Sequence, residues 1–268
     1  MYKNKIFNDK LQVSDKVIKN GIKKTRIVIR DLVTGEELFR GSNKTIIAGS
    51  LFTACKHFNL SYPVTLPSYN KELQLDNSVE TAPENLSSIC LFAVGTGGCG
   101  AEDSQIIDVD YMKWLDKDNI VPFVYRNTSD DLSDEERKKY FGRKTLTDLN
   151  KIAYYFKAFE SDPELIVQYV DGTPIDTNIY NSVNTTEGEV IVSNRLRVTP
   201  SDCREFFKST VGLHKAKINT ISLLQAWYKE VDGKKYFQDI HPVTKFNFET
   251  ESLVEETKGL DITYDLYY

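Results

Sequence analysis

The chain has 268 residues, with 39 Asp and Glu against 34 Lys and Arg, a net charge of −5 and a pI of about 5.4; that mild acidity excludes binding nucleic acid by general charge neutralisation, which needs a basic surface. Hydrophobic residues make up 40%, and 15 Tyr, 14 Phe and 2 Trp exclude disorder for most of the chain, because disordered segments are poor in aromatics. With 14 Gly and 8 Pro, collagen-like and low-complexity classes are also excluded.

In chain order, Met1–Lys5 lacks the apolar stretch of a signal peptide. The longest apolar runs, such as Cys90–Val94, fall far short of the ~18 residues that span a membrane. The expectation is synthesis and folding in a cytoplasm. Arg26–Arg30 alternates apolar and basic residues, Asp31–Gly35 turns, and Glu36–Phe39 returns, which predicts a hairpin. A helix is expected over Lys44–Phe58, capped by Ser42 or Asn43, with Ile47, Leu51, Ala54, Cys55 and Phe58 on one face. Residues 59–86 hold Pro63, Pro67 and Pro83 among many Asn and Ser and read as a long surface loop. Its Leu60, Tyr62, Leu66 and Tyr69 are poorly suited to water and are candidate subunit-interface residues.

Ile89–Val94 is a continuous apolar run, predicted to be a strand buried on both faces. Val121–Arg126 is an edge strand in this reading, because Pro122 cannot donate to a ladder. Ser133–Glu136 has the capping-box pattern, followed by a short solvated helix that Gly142 would stop. Strands follow at Ile152–Phe159 and Leu165–Val170, and at Glu189–Val198 with Val190, Val192, Leu196 and Val198 inward. A short helix spans Ser201–Lys208. Ile218–Glu230 is a long central strand, and Asp232-Gly233 signals a hairpin to Lys235–Asp239. Leu260–Tyr268 alternates, with Leu260, Ile262, Tyr264, Leu266 and Tyr268 on one face and Asp261 and Asp265 left to solvent or a basic neighbour. An apolar, aromatic segment of this kind has to be docked on a sheet or a partner. The fold class is therefore α+β and β-rich, mostly antiparallel sheets around a sandwich-like core, with a few short helices and long loops. Residues 1–268 read as one unit without repeats or an interdomain linker.

Motifs that carry chemistry are weak. Gly95–Gly100 lacks the Lys of a phosphate loop and fails the G-x-G-x-x-G spacing, so a sharp turn or close backbone contact is expected. Asp108, Asp110, Asp116 and Asp118 match only two ligand positions of a calcium loop. His57, His214 and His241 are isolated from one another and from Cys at metal spacing. Cys55, Cys90, Cys99 and Cys203 contain no CxxC pair and read as free thiols. No catalytic, cofactor-binding or metal residue is assigned. Arg137–Arg143 mixes basic and aromatic residues beside five acids, which suits a subunit interface better than a phosphate field. Arg137, Tyr140, Phe141 and Arg143 join the interface set, with Tyr267 and Tyr268.

Several blocks taken together resemble a known family: Thr34–Phe58, Leu91–Leu115, Pro122–Arg126, Tyr140–Lys144, Tyr154–Phe159, Ala216–Phe248 and Lys258–Tyr268. The ensemble is similar to virion structural proteins of crAss-like bacteriophages, short-tailed phages whose tail stacks ring proteins between portal and tail tip. The resemblance implies a non-enzymatic neck or tail ring subunit in the virion. It implies a homo-oligomer of twelve-fold symmetry that contacts portal or other ring proteins and passes DNA or ejected proteins, with no cofactor and no membrane. A head-decoration or receptor-binding protein is the nearest alternative. A hydrolase using the Asp-rich loops is the alternative of a different class.

Overall fold

A computed structural model of the chain describes residues 22, 24–42, 44–45, 49–50, 53–55, 73, 75, 86–108, 119–169, 171–174, 188–231 and 234–268. The strands, in chain order, are β1 (Lys24–Asp31), β2 (Glu37–Gly41), β3 (Lys44–Thr45), β4 (Leu86–Gly95), β5 (Ile120–Val121), β6 (Val124–Asn127), β7 (Tyr140–Leu146), β8 (Lys151–Ala158), β9 (Glu164–Tyr169), β10 (Gly188–Val198), β11 (Lys217–Val231), β12 (Lys234–Ser252) and β13 (Leu260–Tyr267); the helix α1 (Arg204–Thr210) follows β10. They form a five-stranded sheet, β2-β1-β13-β10-β9, and an eight-stranded sheet built on β3-β12-β11-β4-β8-β6, with β5 on β4 and β7 on β8. Every pairing described is antiparallel.

The two sheets face each other across one core. Ile27, Ile29, Leu196, Val198, Leu260, Ile262, Tyr264 and Leu266 from the smaller sheet meet Phe92, Val94, Ile221, Leu223, Phe246 and Phe248 from the larger. A second cluster, with Leu91, Ala93, Ala153, Tyr155, Leu224, Ala226, Phe237 and Ile240, covers the far side of the larger sheet. The β-rich, sandwich-like α+β class expected from the sequence is the one observed. β4 is buried throughout Leu91–Gly95, as its unbroken apolar run requires. β13 lies between β1 and β10 and buries Leu260, Ile262, Tyr264 and Leu266. Each such side chain stabilises the fold by about 1.5–3 kcal/mol.

Several details differ from the sequence reading. Lys44–Thr45 pairs with Thr244 and Lys245 of β12, so the expected helix does not start there. Residues 49–50 and 53–55 are helical, and the rest of residues 46–58 lies outside the described residues, as does most of the 59–86 loop with Leu60, Tyr62, Leu66 and Tyr69. Ser133–Glu136 closes a box, but only one 3-10 turn, Glu136–Lys138, follows it. Gly142 does not stop a helix. It sits inside β7 at φ +68°, where a Cβ would lie 2.3 Å from the Phe156 ring, so only glycine fits the bend. Val121–Arg126 is split into β5 and β6 around Pro122. β12 runs to Ser252, well past Asp239, because bulges at Ile218/Thr220, Leu223/Leu224 and Trp227/Tyr228 absorb its irregular pattern.

β10 also departs from the reading. Leu196 and Val198 point inward, but Val190 is exposed and Val192 half-buried, while Ile191 is buried. Val190 and Val192 continue the row of Leu196 and Val198 but are progressively less covered toward the start of the strand. Ile262→Ala is therefore expected to lower unfolding stability by about 2–5 kcal/mol, and Val190→Ala by less than about 0.5, measured by urea denaturation. Equal losses at the two positions would contradict the placement of these residues.

Candidate functional site

The basic-aromatic segment Arg137–Arg143 is occupied within the chain. Arg137 Nη2 and Arg143 Nε reach Asp131 Oδ2 at 3.1 and 3.4 Å, and Arg137 Nε donates to the Leu132 carbonyl. Asp131 also accepts from the Tyr154 hydroxyl at 2.6 Å. Burial pushes the Asp131 carboxyl up, but the Tyr154 hydroxyl, the Leu132 amide and the two guanidinium groups outweigh it and hold the group below the ordinary range. Burial first, and Asp131 second, push the Tyr154 hydroxyl up to about 12. Phe141 packs edge-on against Phe237 at 4.6 Å. Tyr267 is buried under Lys24 and Arg26, and Tyr268 is half-buried against the inter-sheet core. Asp265, expected in solvent or beside a basic neighbour, is buried and held by Arg26 at 2.6 Å and by the Ser193 hydroxyl. Asp261 is paired with Arg195.

The densest buried polar group was not singled out by sequence reasoning. Lys157 of β8 and Asp202, two residues before α1, form an ion pair of 2.6 Å with side chains 6% and 1% exposed. Asp202 Oδ2 also accepts from the Thr199 amide, and Oδ1 from the Tyr140 hydroxyl at 2.8 Å. Lys157 Nζ donates a further bond to the Arg197 carbonyl at 2.9 Å and lies over the Phe123 and Tyr140 rings. Burial and the neighbouring Asp202 keep the Tyr140 hydroxyl protonated far above the usual tyrosine range. The next residue, Cys203, is buried at φ +64°, a conformation that costs a non-glycine residue about 1–3 kcal/mol. It is fixed by its amide donating to the Phe123 carbonyl at 2.9 Å. The signal for this cluster is a lone lysine inside the otherwise apolar Ile152–Phe159, since a charge on a buried strand has to find a partner.

The second feature is a partly exposed apolar row. On adjacent strands, Val192 stands beside Leu266 on one side and Leu165 on the other, and Val190 beside Val167. Along the row Leu266–Val192–Leu165 the side chains pass from buried to half-buried to 68% exposed, and Val190 is 39% exposed. These residues continue the inner-face row in which Leu266 is buried, with exposure rising toward β9.

The remaining motifs are structural. Gly98 donates to Asn219 Oδ1 at 2.7 Å, and a Cβ on it would meet the Asn219 carbonyl at 2.1 Å. Gly100 donates to the Gln105 carbonyl. The Gly95–Gly100 segment is thus a close backbone contact, as its sequence suggested. Asp108 is exposed, while Asp110, Asp116, Asp118 and His57 lie outside the described residues. His214 is exposed, and His241 is buried beside Trp227 with its Nε2 3.1 Å from Asp239. Among the described residues no group of three or more His, Cys, Asp or Glu is placed to hold a metal ion, and no helix is long and apolar enough to cross a membrane.

Residues 40–204 match the model of a family of unknown function, DUF7208, and the chain belongs to that family. No curated protein and no solved structure matches it.

The charge and thiol geometry has measurable consequences. The Arg126 guanidinium, then the Ser133 amide and hydroxyl, hold the Glu136 carboxyl at about 2, below its ordinary 4.5. A depressed carboxylate adds stability that is complete above 4.5 and is lost as pH falls toward 2. Glu136→Gln should therefore lower the urea midpoint at pH 7, with the gap closing between pH 4.5 and 2; a gap unchanged with pH would refute this. All four cysteines are free, and Cys55 and Cys203 are buried. A disulfide-exchange thiol reagent should titrate four thiols after denaturation, with Cys203 among the slowest in the native protein because burial pushes its thiol up.

Proposed function

Because membership of DUF7208 carries no assigned activity, we propose from the chain's own surfaces that it is a structural subunit of a bacteriophage virion. In this reading it forms a ring in the neck or tail between portal and tail tip and lines or supports the channel for genome delivery. It contributes assembly rather than catalysis.

The observation that carries the reading is the apolar run on the inner sheet face in which Leu165 and Val190 are exposed and Val167 and Val192 half-buried. Contiguous apolar surface of this kind marks interaction sites. A ring needs a heterologous contact, in which one patch meets a different patch on the next copy. The sandwich supplies a rigid body for it, since both faces of β8 and β11 are packed. The similarity of the sequence blocks to ring proteins of crAss-like phages supports the same reading, as does the net charge of −5, which suits a channel that lets DNA slide without gripping it.

Negative-stain microscopy and light scattering on the purified chain, alone and co-expressed with a portal protein, test it. Closed rings are expected. Leu165→Asp with Val190→Asp should abolish them while leaving the circular dichroism spectrum of the subunit unchanged. A chain that stays monomeric in both settings would overturn the assignment. Particles with capsid-surface or trimeric fibre symmetry would replace it with the decoration or receptor-binding role.

A further inference from the structure

The Lys157–Asp202 contact has the arrangement of two reactants held for condensation. The amine and the carboxylate touch at 2.6 Å, and both side chains are almost completely shielded from water. Phe123 and Tyr140 rings lie beside the amine. The groups come from separate elements, β8 and the segment between β10 and α1, 45 residues apart.

We propose that Lys157 and Asp202 join in an intramolecular isopeptide bond. The Nζ–H···Oδ2 hydrogen bond delivers one proton to Oδ2, leaving a neutral amine and a carboxylic acid. Nζ then attacks Cγ, forming the C–N bond, and charge develops on Oδ1. The Tyr140 hydroxyl, donating to Oδ1 at 2.8 Å, stabilises that oxyanion. A second proton passes from Nζ to Oδ2, the Cγ–Oδ2 bond breaks, and Oδ2 leaves as water. The amide keeps the third Nζ proton. No group is oxidised or reduced, and no co-reactant is needed. Tyr140 acts by hydrogen bonding to the reacting carboxyl and retains its own proton.

The product ties β8 of the eight-stranded sheet to the segment leaving β10 of the five-stranded sheet. It thus staples the two layers of the sandwich. The inference concerns the subunit itself and is independent of whether the chain forms rings.

Denaturing intact-mass measurement and tryptic mapping of the purified full chain decide the matter. The expected mass is that of the sequence less one water. The map should contain a branched peptide in which Ile152–Arg195, uncut at Lys157, is joined to Val198–Arg204. Lys157→Arg and Asp202→Ala should restore full mass and give only linear peptides. Tyr140→Phe should slow the appearance of the branched peptide about tenfold or more after refolding. The wild-type chain alone makes the test decisive, so a variant that fails to fold does not weaken it. Full mass and linear peptides from both fresh and aged wild-type protein would overturn the proposal.

Discussion

The insertion of β13 between β1 and β10 is the constraint on which the smaller sheet depends. It pairs in unbroken register over eight residues with each neighbour, from Leu260 to Tyr267. Its inward row forms much of the floor of the inter-sheet core. The Tyr264 hydroxyl crosses that core to Thr244 of β12, giving the two sheets a polar tie at a buried point. On the outer side Asp265 gathers Arg26 from β1 and the Ser193 hydroxyl from β10, so one carboxylate braces three strands. Remove this strand and β1 and β10 have no common partner.

Placement of charge elsewhere follows a similar logic. Five arginines are paired with acids of the same chain: Arg137 and Arg143 with Asp131, Arg126 with Glu136, Arg195 with Asp261 and Arg197 with Glu160. Pairs this exposed add little stability each, but they neutralise the surface locally. Among the described residues, apolar side chains stand exposed at Leu165 and Val190 on the β9–β10 margin.

Much of the fold was legible in the sequence because its strands carry local signatures. The alternation of Leu260–Tyr268, the continuous run at Ile89–Val94 and the Arg26–Phe39 hairpin each depend on neighbouring residues alone. The failures have a different origin. Val190 and Val192 obey the period-2 pattern but are exposed and half-buried, because coverage of a sheet face is set by parts of the chain remote in sequence. Gly142 resembles a helix stop until the Phe156 ring against it is known. β12 contains Pro242 and bulged steps with β11, which hide its length from any periodic reading. Lys157 and Asp202 are 45 residues apart, and nothing near either one names the other. Of the interface residues chosen for aromatic and basic character, Arg137, Tyr140, Phe141, Arg143, Tyr267 and Tyr268 lie within the described structure, where each also makes contacts inside the subunit.

The pairing of β1 with β13 also governs how the chain reaches its fold. Arg26 and Asp265 are separated by 239 positions, whereas β11 and β12 are joined by only two residues. Closing a long loop costs entropy before any contact repays it, and sheets rich in distant pairings fold slowly. The β11–β12 ribbon and its neighbour β4 offer an early template, while the smaller sheet waits for the encounter of remote segments. Until that encounter the apolar row of β13 is without its buried setting, and exposed apolar strands of this kind are prone to aggregate.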